Sequence, residues 1–178
     1  MTVTEGLAEI KTLLKRIEAK RKFILDHVGR LGQYKDPFEQ DGGAVSIIKR
    51  ERQAFKDLLQ RIVRIRVAIQ AQNRATSLTV EGMTLTVAEW LAWRKDAAPQ
   101  IQALLTGLCN GVAELKTETL QSTYRNSAQN AGAGSENFVL HLSETDLAKE
   151  TENFQQVIGV LDGQLSLLNA TTMITVPD

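Results

Sequence analysis

His27, His141 and Cys109 are the only histidines and the only cysteine among 178 residues. They lie too far apart in sequence to make a zinc-ligand pair. A di-iron helical bundle needs Glu-x-x-His on core-facing positions, and neither histidine has a glutamate three residues before it. No Ser–His–Asp set and no nucleophile elbow can be assembled around them. Glu144, Glu150 and Glu152 share a predicted helix with Lys149 and read as a solvated face. The segment AGAGSEN, 131–137, contains Gly-x-Gly, but no Lys-Ser or Lys-Thr follows it and no strand leads into it. It reads as a loop rather than a phosphate cradle. Cys109, inside LLTGLCNGV, reads as a small buried hydrophobe with no disulfide partner. The chain therefore reads as non-enzymatic, with no catalytic, cofactor-binding or metal-ligating residue and no small-molecule substrate.

Charge gives a clearer signal. Residues 1–75 carry 16 of the 21 Lys and Arg but 9 of the 21 Asp and Glu, a balance of +7 against −7 in residues 76–178. Three readings compete: a basic hairpin beside an acidic one in the same chain, subunits meeting basic surface to acidic surface, or nucleic acid on the basic half. The stretch IIKRERQAFKDLLQRIVRIRV, 47–67, carries Arg52, Lys56, Arg61 and Arg64 along one helix, a row able to follow phosphates. Glu51 and Asp57 interrupt the row, and the aromatics needed for base stacking are absent.

Long helices must position these groups. Leu7, Ile10, Leu14, Ile17, Arg21, Ile24, Val28 and Leu31 stand three and four residues apart, predicting a helix over 4–31 with Thr4 as its N-cap. A Gly-, Pro- and Asp-rich loop follows. The spacing of Ile48, Glu51, Phe55, Leu58, Ile62, Ile65, Ile69 and Gln72 predicts a second helix over 44–75. Leu59, Val63 and Val67 widen its apolar stripe beyond what a two-stranded seam requires. Two short strands, 78–80 and 83–85, flank a Glu81-Gly82 turn. Thr86 and Glu89 form a capping box opening a helix over 87–120, in which Pro99 predicts a kink or a split capped by Asp96. RNSAQNAGAGSEN, 125–137, reads as a loop, FVLHL, 138–142, as a strand, and 144–169 as a last helix capped by Ser143.

The phrase NRATSLTV, 73–80, returns as NATTMITV, 169–176. Asn73 and Asn169 read as left-handed helix ends, with Thr76 and Thr172 starting the exit toward a strand. The expectation is a duplicated helix-to-strand unit that lays 78–80 beside 174–176 in one sheet. The fold class is mainly α: a single domain, 1–178, formed as a bundle of long antiparallel coiled-coil-like helical hairpins with a small antiparallel β-sheet at one end. The stretch AIQAQNRATSLTVEGMTLTVAEWLAWRKDA resembles a pattern of the septicolysin-like family of small bacterial helical proteins. There a helix ends in an Asn-containing phrase, a Gly-bearing turn follows, and Thr-Leu-Thr opens the next helix. LDGQLSLLNATTMITV resembles that family's closing helix, and GSENFVLHLSETDLAK the strand before that helix. The likeness covers the C-terminal half. The family has Asn and Thr where Gln70 and Gln72 stand, and Trp where Ala170 stands. The resemblance implies a helical bundle with a small sheet, in an oligomer.

The functional expectation is a self-associating interaction protein, cytoplasmic and without a membrane span. Phe55, Ile62, Val63 and Ile69 are its candidate interface, with Arg61, Arg64 and Arg66 setting the register. The first alternative is a nucleic-acid-binding protein using the basic face of the second helix. The second is a membrane-active protein whose amphipathic helices meet lipid.

Overall fold

The computed structural model describes the backbone of residues 1–129 and 139–177, and the side chains of residues 1–121 and 139–177. It is mainly α-helical with one small antiparallel sheet. Where the sequence suggests one continuous bundle, the chain divides into two compact units: Met1–Thr76 with Leu165–Asp178, and Ser77–Gln164.

In the first unit, α1 (Val3–Asp26) and α2 (Ala44–Ala75) pair. Glu9 meets Arg61 and Lys20 meets Glu51, so the two helices run antiparallel. The N-cap of α1 is Thr2 rather than Thr4, in a capping box with Glu5, and the helix ends at Asp26, short of the expected residue 31. The core gathers Val3, Ile10, Leu13 and Ile17 of α1, Ile62, Ile65 and Ile69 of α2, and Ile174. Gly6 belongs here too. A Cβ at that position would lie 3.1 Å from Ile174 Cδ1 and 3.2 Å from Ile65 Cγ2.

The repeated phrase ends its two helices alike. The Thr76 N–H bonds the Gln72 carbonyl, and the Thr172 N–H bonds the Leu168 carbonyl, each four residues back. The asparagines do not make the exits: Asn73 and Asn169 lie inside helices that continue to Ala75 and Thr171, and Glu81 is the only described non-glycine residue with positive φ. Nor do the two tails share a sheet. Ser77–Val80 (β1) pairs with Met83–Thr86 (β2), whereas Ile174 donates its N–H to Met1 and Val3 donates to Thr172. The expected strand 174–176 reduces to one bridge between Thr2 and Met173. The reason is local competition: a two-residue turn with φ of 47° at Glu81 and 79° at Gly82 folds β1 straight onto β2, and the last residues meet the free backbone of the N-terminus.

In the second unit, α3 (Val87–Ala92) follows β2 directly, and a π-turn over Trp93–Ala97 joins it to α4 (Ala98–Gln129). Pro99 has no N–H for the Lys95 carbonyl and its ring crowds that group in a regular helix. The wide turn just before Pro99 accommodates it, and Asp96 sits within that turn instead of capping a second helix. α4 overruns the expected end at residue 120 and takes in the start of the expected loop. AGAGSEN and Phe138 lie outside the described residues; 139–142 form no strand. α5 (Glu144–Thr171) begins after Ser143, whose hydroxyl accepts the Asp146 N–H. Trp90, Leu161 and Val80 are the largest fully buried side chains among the described residues of this unit.

The capping box that opens α3 yields a pH prediction. The Glu89 carboxylate accepts the Thr86 N–H and hydroxyl, each at 2.8 Å, and Thr86 Oγ1 accepts the Glu89 N–H. The backbone bond first, then the hydroxyl bond, holds Glu89 below the ordinary carboxylate range. A lowered folded-state pKa stabilises fully above the unfolded value, and this contribution disappears as pH falls through the folded one. Thr86→Ala is expected to destabilise by about 0.5–2 kcal/mol at neutral pH in urea titrations. Glu89→Gln should flatten the acid limb of the Tm–pH curve; an unchanged limb would count against the box.

Candidate interaction surface and a basic cleft

Helical spacing explains which side chains α2 turns outward. Leu59, Val63 and Val67 recur every four residues and are exposed at 40%, 58% and 58%. On α1, Leu7 and Leu14 are likewise exposed beside the buried Gly6 and Leu13. Leu7 and Leu14 of α1 and Leu59 of α2 lie on the flank away from the Glu9–Arg61 pair, and Val63 and Val67 turn from there toward the outer face of α2.

The residues picked out in the sequence fall into separate environments. Ile62 and Ile69 are core residues, and Phe55 packs against that core, so they are spent within the chain. A spacing argument marks them as apolar and inward but does not say which chain they face. Arg61 binds Glu9 through two hydrogen bonds. Val63, Arg64 and Arg66 are exposed. Asn73, Thr76, Asn169 and Thr172 are half-buried at helix ends. Cys109 is exposed, not buried. No close helix approach is made at Gly107 or Gly111 among the described residues; a Cβ at either would meet nothing within 4 Å.

A second feature was not singled out in the sequence. Between α1 and α2, residues 27–43 fold back over the helix ends. The His27 ring donates from Nδ1 to the Phe23 carbonyl at 2.8 Å. It meets Phe23 at a tilt and Phe38 edge-on, with ring centroids 4.4 and 5.1 Å away. Gly42 and Gly43 take φ of 91° and 85°, a turn that residues with a Cβ resist. The Asp36 carboxylate accepts the Ala44 N–H at 2.8 Å and the Phe38 N–H at 2.9 Å, tying the loop to the first turn of α2. The Ala44 bond first, then the Phe38 bond, keeps its carboxyl below the ordinary range.

This loop and the start of α2 line a cleft of ≈ 940 Å³. Val28, Phe38, Val45 and Ile48 form its apolar wall. Arg30, Lys35, Lys49 and Arg52 ring it, against Asp26 and Asp36. Among the described residues the ion pairs are Lys20–Glu51, Arg21–Glu18, Arg61–Glu9, Arg94–Asp162 and Lys116–Glu144, and none takes up Lys49 or Arg52. No group of three or more His, Cys, Asp or Glu side chains among the described residues is placed to hold a metal ion. No helix among them is long and apolar enough to cross a membrane.

No protein-family model matches the chain, and no curated protein matches it. The chain is similar to a functionally unknown conserved protein from Corynebacterium diphtheriae, known from its crystal structure. The two share 20% identity over 98% of this chain and 99% of that one, with a TM-score of 0.46.

Proposed function

We propose that the chain is a non-enzymatic interaction protein that associates with further copies of itself. The observation that carries this reading is the exposed row Leu59, Val63 and Val67 on α2, beside the exposed Arg64 and Arg66. Apolar side chains repeated along one helical flank lose their contact with water only when something covers them. The acidic half of another copy is a suitable cover. It carries a balance of −7 against +7, and α4 leaves Leu104 and Leu115 exposed. Opposite charges steer such surfaces together and fix their register, while the apolar row supplies the affinity.

Light scattering tests the reading. At micromolar concentration the expected mass is at least twice the chain mass of 19.7 kDa, and Val63→Glu with Val67→Glu should return it to that of one chain. A monomeric wild-type protein would sink the proposal. Adding a DNA duplex at low salt should leave the mass unchanged. A complex that dissolves steeply as salt rises would favour the phosphate-following reading of Arg52, Lys56, Arg61 and Arg64 instead.

A further inference from the structure

We propose that the cleft at the loop end of the α1–α2 hairpin binds a small amphipathic anion, an aromatic or alkyl body carrying one carboxylate. The ≈ 940 Å³ volume lies within the range of small-molecule sites, roughly 300–1,000 Å³. Its chemistry is divided in the way such a ligand is divided. Val45, Ile48, Lys49 and Arg52 stand at i, i+3, i+4 and i+7, on one face of the first two turns of α2. The same face therefore offers apolar contact first and cations about one turn further on. Across the cleft, Phe38 is held by its ring contacts with His27 and Phe23, a fixed aromatic wall.

The charge balance selects an anion. Asp36 is already committed to two backbone amides at the start of α2, where a carboxylate is favourably placed against the helix dipole. It does not reach out to Lys49 or Arg52, and Asp26 is the remaining acid at the rim. Val45 is 86% exposed and Val28 81%. An apolar body seated between them would remove both from water. Side chains of both the loop and α2 line the cleft, a two-sided site that favours a free small molecule over a bilayer.

The test uses the full chain and the dye anilinonaphthalene sulfonate, whose fluorescence rises on apolar burial. One saturable site is expected. Val45→Glu, and separately Lys49→Glu with Arg52→Glu, should each weaken it by at least about tenfold, as expected for losing charge-assisted contacts. Lys11→Glu with Lys15→Glu, of equal charge change at exposed positions outside the cleft, should not. N-phenylnaphthylamine, which has the same aromatic body without the anion, should bind about tenfold more weakly. Decanoate should displace the dye. Circular dichroism on the cleft variants separates lost binding from lost folding; Val45, Lys49 and Arg52 are all exposed, so native spectra are expected. Wild-type affinity in the cleft variants would overturn the proposal, as would equal binding of the neutral dye. Displacement by phosphatidylglycerol vesicles but not by decanoate would overturn it in favour of a membrane surface.

Discussion

Trp90→Ala is expected to destabilise the protein by about 3–5 kcal/mol, the range for emptying a buried aromatic site. Trp90 is 2% exposed. Its Nε1 donates to the Leu78 carbonyl at 2.9 Å, tying α3 to β1, and its ring meets Trp93 edge-on at a centroid distance of 5.5 Å. Three losses therefore coincide: burial, a hydrogen bond to an otherwise inward carbonyl, and an aromatic pair. Trp90→Phe separates them. It keeps a ring against Trp93 but leaves the Leu78 carbonyl without its donor, which should cost about 1–3 kcal/mol. Urea unfolding followed by far-ultraviolet circular dichroism reads both variants. A Trp90→Ala midpoint indistinguishable from wild type would show that the indole anchors nothing.

The helices were legible because their signals are redundant. Phe55, Leu58, Ile62, Ile65 and Ile69 of α2 recur three and four residues apart, and Thr86 and Glu89 announce the start of α3 by residue type alone. The α1 seam was only half legible. Ile10 and Ile17 are buried as expected, but the structure buries Gly6 and Leu13 where spacing favours Leu7 and Leu14. Adjacent leucines at 13 and 14 serve either register equally. What decides is the C-terminal tail, since Ile174 comes within van der Waals reach of Gly6. A contact between residues this far apart in sequence leaves no trace in local periodicity. The same holds for the strands: 174–176 has β-forming residues, but strand formation depends on which backbone is free to pair.

The cleft was less legible than the fold. Its charged members lie in a row that reads as a solvated face, and its aromatic members are scattered through a loop whose composition says only that it turns. Three clues were present: Gly42-Gly43, which permits a sharp return; Asp36, a residue type that captures helix N-terminal amides; and Phe38, an aromatic within a polar loop. Each has an ordinary meaning alone. They acquire a joint one when Asp36 binds the Ala44 N–H and draws Phe38 over His27.

Ile65→Ala is expected to cost about 2–5 kcal/mol, toward the upper end, because the vacated space has little means of closing. Ile65 is 0% exposed and packs in a cluster with residues of α1, with α2 neighbours and with Ile174. Three separately anchored segments surround it, so relaxation by one leaves the others in place. Gly6 supplies an internal check. Gly6→Ala alone gains about 1 kcal/mol of helix propensity, opposed by contacts of 3.1 Å to Ile174 and 3.2 Å to Ile65. In the Ile65→Ala background the second contact is gone, and the new methyl occupies part of the void. The two substitutions should therefore couple favourably by at least about 0.5 kcal/mol in a double-mutant cycle. Strict additivity would mean that Gly6 and Ile65 do not share the space the structure gives them, and that the tail is held to α1 by its backbone bonds alone.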